Sequence, residues 1–399
     1  MDIDKLLKII NSHSYHDLKD NTEIISTELK HLDIPNVDHH NLIKKILKII
    51  TISKNQKLRE TYLRSYFRIY KEGKDFDGRP GSIIVEITKR CNKNCRHCYS
   101  SFFDNRIDMS NEILAAILRY TRKNCKHIFF TGGEPTLDPR ILQTAKENQD
   151  MLFFVFTNGS TMCKNYAKQL FSLGNIIPMI GIDGGSASVH DYYRGDSSYD
   201  EVMSAIDILN KYNVPWGYSS LVTEQNIHDV LSSKFIEDII KRGAFIARYL
   251  EYIPVGPKPL KDSILSGDSY YFLEKRKKEI INSGIIYMQE TIQRKCTGLL
   301  YFTARGYIKN CFAFHYAKYN VSDHDIKESV KKIYTDWASF NWSGECPVYS
   351  DPCGLKNHLE TLGWKKISAV EEQYLSDPEI FNKLQSSYRR FLELNAKFK

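Results

Sequence analysis

Between residue 82 and about residue 255, short runs of β-branched and aromatic apolar residues alternate with longer stretches whose apolar positions recur at helical spacing. The apolar runs fall at 83–87, 127–131, 151–156, 177–182, 216–222 and 244–252. Strands alternating with helical stretches of about 10–15 residues indicate β/α units and a parallel sheet. Six such units predict an α/β fold, a partial (β/α)6 TIM-like barrel with one open side. Before it, residues 1–78 read as a helical segment, with apolar positions at Leu6, Leu7, Ile9 and Ile10 and again from Leu42 to Ile50, interrupted by Pro35. Residues 75–81, with Asp, Gly, Arg and Pro, read as the linker. The pattern divides the chain into 1–78, a core at 79–290, and a smaller C-terminal unit at 291–399 that ends in an amphipathic helix.

Polar residues and glycines gather where the apolar runs end. The first run leads into Cys91-Asn-Lys-Asn-Cys95-Arg-His-Cys98, a C-x3-C-x2-C spacing. Structural zinc and ordinary four-iron clusters are closed by four protein ligands, so a loop of three thiolates leaves one iron of a cubane open to a non-protein ligand. A zinc knuckle or reduced structural thiols is the plainer alternative. Ser110 is an N-cap residue type at the start of the next helical stretch. The second run ends in Gly132-Gly133-Glu134-Pro135, the third in Thr157-Asn158-Gly159, and the fourth in Asp183-Gly184-Gly185 with His190, Asp191 and Arg194 beyond. In parallel α/β barrels the C-terminal strand ends form the ligand-binding rim. Paired glycines permit close backbone approach to a ligand, and the Glu134 carboxylate suits a cationic amine. Arg248 and Glu251, at the end of the sixth run, are candidate catalytic residues, as substrate contacts or a proton acceptor. A buried ion pair closing the barrel is the alternative for them.

With these motifs in this order, the chain resembles the radical S-adenosylmethionine (SAM) enzymes over roughly residues 80–255. The cysteine loop resembles the family's signature, and Gly-Gly-Glu-Pro resembles its SAM-amine motif. The fourth strand end resembles the Ser-x-Asp-Gly…His-Asp-x-x-Arg pattern of peptide- and protein-modifying members. The resemblance implies that Cys91, Cys95 and Cys98 hold a [4Fe-4S] cluster whose fourth iron is chelated by SAM. One electron then breaks the S–C5′ bond, and the resulting 5′-deoxyadenosyl radical takes a hydrogen atom from the substrate. It further implies cofactor contacts at His97 on the adenine side, at Gly133 and Glu134 for the amine, and at Arg194 for the carboxylate. Asp183 joins them within the matched pattern, and Leu221 with Val222 would line the adenine pocket. The family's ribose-contacting serine is Gly181 here, a departure for which Asn158 or a water is the substitute. His190 and Asp191 read as loop-bracing residues.

Four more cysteines lie downstream. Cys296 and Cys311 sit in a C-x9-G-x4-C spacing with Gly306 as the turn of a hairpin, and Cys346 and Cys353 follow. This resembles a shortened SPASM extension, the twitch type, and implies an auxiliary iron–sulfur cluster with Cys296, Cys311, Cys346 and Cys353 as ligands. Zinc suits four thiolates equally well. Cys125 and Cys163 fit neither set and read as core thiols.

The totals narrow the function classes. At 399 residues the chain can hold two or three domains. An odd count of nine cysteines favours metal or redox roles over a disulfide framework. No apolar run approaches the ~20 residues of a membrane span, and the N-terminus lacks a secretory pattern, so a cytoplasmic protein is expected. The formal charge of +8 comes without a dense basic run, which argues against nucleic acid and suits an acidic electron donor such as flavodoxin or ferredoxin. The expected function is a radical SAM oxidoreductase or maturase acting on a peptide or protein side chain. A radical SAM enzyme of a small metabolite and a non-catalytic zinc-binding adaptor are the alternatives.

Overall fold

The structure, a computed structural model, describes residues 80, 82–100, 107–125, 127–256, 258–283, 285–290, 299–340, 346–368 and 373–397, with eight scattered positions before residue 64. Those eight are helical, and Leu7, Ile10 and Leu63 among them are buried. The remainder of the expected helical segment 1–78, its linker and Cys296 lie outside the described residues.

The six apolar runs are six strands that pair in chain order, every neighbour parallel. These are β1 (Ser82–Thr88), β2 (His127–Gly132), β3 (Leu152–Thr157), β4 (Ile176–Gly181), β5 (Gly217–Val222) and β6 (Ile246–Glu251). Between them run α1 (Asn111–Asn124), α2 (Arg140–Glu147), α3 (Lys164–Leu173), α4 (Ala187–Arg194), α5 (Ser198–Lys211) and α6 (Ser233–Lys241). Ser110 caps α1 as its residue type predicts, its hydroxyl accepting the Ile113 N–H at 3.3 Å. Leu114, Ile117 and Thr121, spaced three and four apart, give α1 its buried face.

The sheet extends beyond the six. After α7 (Gly267–Asn282), β7 (Ile286–Glu290) adds parallel to β6. At the other edge β8 (Leu299–Phe302) adds parallel to β1, followed by the antiparallel β9 (Tyr307–Lys309). Gly306 makes the β8–β9 turn at φ +82°. The sheet therefore runs across the division drawn at residue 290, because the C-terminal unit lends its hairpin to the barrel edge. The count of six missed β7, a short segment with a polar end; β8 and β9 form the hairpin expected around Gly306, but the pairing of β8 with β1, more than 200 residues away in sequence, was not legible. The C-terminal helix α8 (Pro378–Lys397) docks on α7, where Arg390 pairs with Asp268 at 3.2 Å. Among the described residues no helix is long and apolar enough to cross a membrane.

Successive side chains on a strand face opposite sides. Ile83, Val85, Phe130, Phe153 and Val155 enter the core beneath the helices. Their neighbours Ile84, Thr131, Phe156, Met179, Ser219 and Leu221 line a cavity inside the barrel. This alternation corrects the expectation for Val222. Leu221 takes the inward position, so Val222 is fully buried in the helix-side core instead of lining the cofactor pocket.

Phe153 is fully buried and stacks on Phe130 at 5.6 Å. Phe153→Ala is expected to lower unfolding stability by about 3–5 kcal/mol, read by chemical denaturation.

Candidate active site

The cysteine loop follows β1 and is clamped from several sides. The Arg96 N–H donates to the Tyr193 carbonyl of α4 at 2.9 Å, and the His97 ring stacks on the Tyr193 ring at 5.1 Å. Lys93 pairs with Glu201 of α5 at 2.7 Å. Asn92 donates to the Ser160 hydroxyl at 2.8 Å and accepts from the Asn158 amide at 2.9 Å. Cys91, Cys95 and Cys98 all face the cavity and are close enough to feel one another's charge. Burial pushes the Cys95 thiol up to about 11, with Arg194 pulling the other way, and it raises Cys91 as well. Three thiols on one short loop match a metal cluster's ligand set in kind, and such a cluster's positive charge deprotonates coordinating thiols outright. Among the described residues, however, no three His, Cys, Asp or Glu side chains already surround one metal position.

The Gly132-Gly133-Glu134 turn sits against this loop. A Cβ on Gly132, at φ +143°, would lie 2.0 Å from the Thr88 carbonyl oxygen, and one on Gly133 would lie 2.3 Å from that of Arg90. The glycines therefore serve the approach of two backbone segments, where the sequence suggested approach to a ligand. The Gly133 N–H donates to the Thr88 carbonyl at 2.9 Å and the Glu134 N–H to that of Arg90 at 2.8 Å. The Glu134 carboxylate lines the cavity and is almost fully buried. It accepts the Asn158 N–H at 2.7 Å and the Thr136 N–H at 3.1 Å. Burial raises its pKa, the condition under which a cationic amine is a favourable partner. Asn158 also lines the cavity.

Asp183, just beyond β4, is fully buried and does not line the cavity. It holds the residues that do. One carboxylate oxygen bonds Nε of Arg194 and pairs with Nε2 of His97 at 2.8 Å, and the other accepts the Leu221 N–H at 2.8 Å. Its role is to position these groups, where the sequence suggested cofactor contact. Burial pushes the Asp183 carboxyl up, but Arg194 and His97 together outweigh this and hold it well below the usual carboxylate range. His190 and Asp191 brace the loop as expected. The His190 Nδ1 accepts the Asp183 N–H at 3.2 Å, and the Asp191 carboxylate accepts the N–H groups of Ser197 and Tyr199. Burial lowers the His190 pKa to about 4, with the Arg194 charge adding to it, so its ring is neutral.

Arg248 and Glu251 are both buried and border the cavity; Arg248 shares the inward face with Leu250, whereas Glu251, at the strand end and paired with Val222, stands near Tyr270 and Tyr349. The Arg248 guanidinium lies over the Phe156 ring at 4.7 Å and the Phe129 ring at 5.4 Å. An aromatic wall completes the space. Tyr99, Tyr301 and Phe312 line it, with the Tyr99 hydroxyl 3.1 Å from that of Thr131 and 3.4 Å from that of Tyr301. Sequence reading missed Tyr301 and Phe312, since nothing local says that the β8–β9 hairpin packs against the cysteine loop. Buried Glu86 on β1 brings the hairpin there by accepting the Ala304 N–H at 3.0 Å.

The C-terminal cysteines divide. Cys311 and Cys346 are buried and feel each other's charge. Burial pushes the Cys311 thiol up to about 12, Cys346 adds to this, and Lys309 with the N–H groups of Ala313 and Phe314 opposes it. Cys353 stands apart, its thiol donating to the Leu375 carbonyl at 3.4 Å. Cys125 is buried as expected, whereas Cys163 is exposed at the start of α3, not a core thiol.

Asp183→Asn leaves the Arg194 guanidinium without its anion and is expected to cost about 3–5 kcal/mol of stability at pH 7. A depressed carboxyl contributes stability that is complete above its unfolded pKa of about 3.9 and is lost as pH falls toward the folded value. The gap between wild type and Asp183→Asn in denaturant unfolding should therefore narrow below about pH 4.

Residues 85–234, which contain the cysteine loop, the Glu134 turn and the Asp183–Arg194 pair, match the Radical SAM superfamily. An AdoMet-dependent heme synthase of Methanosarcina barkeri is 24% identical over 221 residues, 51% of this chain and 60% of the relative. The sporulation killing factor maturation protein SkfB of Bacillus subtilis is 28% identical over 183 residues, 44% of each chain. The chain thus spans less than two thirds of the length of these curated relatives. The crystal structure of Streptococcus suis SuiB bound to precursor peptide SuiA shares the fold, with a TM-score of 0.58 at 14% identity over 86% of this chain and 83% of that one. That superposition reaches past the barrel into the C-terminal unit. The chain thus carries, over residues 85–234, a domain of the Radical SAM superfamily, and its likeness to SuiB extends the shared fold into the C-terminal unit.

Proposed function

We propose that this protein is a radical SAM enzyme that removes a hydrogen atom from a side chain of a peptide or protein. The observation that carries this reading is one cavity of about 580 Å³ in which the cysteine loop, the Glu134 turn, Arg194, the Arg248–Glu251 wall and the hairpin aromatics meet. When bound, a [4Fe-4S] cluster and SAM supply a one-electron cleavage that yields a 5′-deoxyadenosyl radical. Cys91, Cys95 and Cys98 would hold the cluster, Glu134 the amine of SAM, and Arg194 its carboxylate. Tyr99, Tyr301 and Phe312 exclude water from the space where hydrogen is taken. Arg248 orients an anionic or polar group of the substrate, and Glu251 serves as proton acceptor.

Size supports a side chain as the reacting group. A pocket for one small ligand takes about 300–1,000 Å³. Here a single volume within that range must hold cluster, SAM and the reacting group together, which suits one side chain with the rest of the substrate outside. SkfB, a maturation protein, and SuiB, seen with its precursor peptide, agree with this reading. The heme synthase relative and the buried Arg248 cation favour a second one, a small metabolite bearing a carboxylate. An acidic flavodoxin or ferredoxin is the proposed reductant.

A second, auxiliary iron–sulfur cluster is part of the proposal. The fit of its residues rests on the Cys311–Cys346 pair, two buried thiols near each other beside the Lys309 cation. Cys296 completes three ligands in this assignment, and Cys353 is left out because its thiol is engaged at Leu375.

The test is anaerobic reconstitution with iron and sulfide, reading iron per chain, the EPR spectrum with and without SAM, and 5′-deoxyadenosine release after dithionite. Wild type should bind about eight irons. Cys91/Cys95/Cys98→Ala should retain about four and release no 5′-deoxyadenosine. Cys311→Ala should lose the other four or so, while Cys353→Ala keeps them. Tightly held zinc, with no iron and no SAM-dependent spectral change, would favour the zinc-binding adaptor. Peptide and metabolite panels, scored by substrate-dependent 5′-deoxyadenosine, separate the two substrate readings. With the substrate so found, Arg248→Met should raise KM about 10–100-fold, the loss of a charge-assisted hydrogen bond, and leave substrate-free SAM cleavage unchanged.

A further inference from the structure

Gly181 is the last residue of β4, and its backbone does not explain why it is glycine. It is absent from the positive-φ glycines, so the extended backbone there would accept any residue. Space explains it. A Cβ on Gly181 would lie 2.5 Å from Nη2, 2.6 Å from Nη1 and 2.7 Å from Cζ of Arg194. Those separations are well inside van der Waals contact, so a side chain and this Arg194 position exclude each other. Nor is the guanidinium a free tip that can swing aside. Its Nε is bonded to a carboxylate oxygen of fully buried Asp183, and Asp183 is itself fixed by the Leu221 N–H at 2.8 Å. The charge so placed acts on Cys95 and Cys98, and Arg194 lines the same cavity as both.

We propose that the missing side chain at Gly181 is a positioning device, one that admits the Arg194 guanidinium to the slot between Asp183 and the cysteine loop. Gly181 thereby sets where a fixed positive charge stands relative to the thiolates, although it touches no ligand itself. The inference rests on the reading that Cys91, Cys95 and Cys98 hold the cluster. Reduction adds one electron to a cluster already made negative by its thiolates, and cluster potential follows local charge and hydrogen bonding. A cation held beside two of the thiolates favours the reduced form. Moving it outward disfavours that form.

A double-mutant cycle on the full, reconstituted chain tests this with Gly181→Ala, Arg194→Lys and the double variant. The readouts are iron per chain and the fraction of cluster reduced at a fixed poised potential, measured by EPR without substrate. Gly181→Ala in the wild-type background is expected to lower the ratio of reduced to oxidised cluster on the order of tenfold. In the Arg194→Lys background, where a slender ammonium leaves the slot, the same change should shift the ratio less than about twofold. Loss of iron in Gly181→Ala that the double variant recovers would support the proposal equally. An equal effect of Gly181→Ala in both backgrounds, no effect in either, or unfolding of both alanine variants would overturn it. A wild-type chain that takes up no cluster would remove the reading beneath it, an outcome distinct from failure of the cycle.

Discussion

A single buried carboxylate organises the site. Asp183 stands at the end of β4 and reaches into three parts of the molecule at once. Through Arg194 it fixes α4, through His97 the cysteine loop, and through the Leu221 N–H the end of β5. A carboxylate at this depth is costly unless paired, and the Arg194 guanidinium, the His97 ring and a backbone donor meet that demand. The same pairing means that none of the three can move alone. The cysteine loop has no regular secondary structure of its own, and it is held in place by what it is attached to.

The glycines of the site act in the same direction. Gly132 and Gly133 let the Glu134 turn lie against the backbone just before the cysteine loop, and Gly181 makes room for a guanidinium. In each case the absent side chain brings protein against protein. The side chains whose positions these close contacts settle are Glu134 and Arg194 above all. Preorganisation of this kind keeps polar groups aimed before any ligand arrives.

The C-terminal unit is part of the site through its hairpin. β8 extends the barrel sheet beside β1, and Glu86 secures the turn that follows it. One side of the hairpin presents Tyr301 and Phe312 to the cavity, and Cys311 next to Phe312 carries a buried thiol that feels the charge of Cys346. The reacting space and the second thiol site are thus two faces of one small element.

The sequence by itself determined the barrel strands, the cysteine loop and the motifs at the strand ends. It could do so because those signals are local. Buried parallel strands read as apolar runs, Ser110 caps the helix beside it, and three thiols within one loop need no distant partner. The places of Gly133, Glu134 and Asn158 on the cavity were legible for the same reason, each lying just past a strand end that the rhythm of the chain marks out, whereas Arg194 lies at the end of α4 and was picked out by the His-Asp-x-x-Arg spacing. Only the tertiary structure decided the rest. It turned Val222 into the core, because a one-residue step along a strand reverses the side chain. It made Asp183 an anchor for other groups, brought Tyr301 and Phe312 to the cysteine loop, and set Cys353 apart from Cys311 and Cys346. Those outcomes depend on which surfaces meet across long stretches of chain, and neither spacing nor composition carries that information.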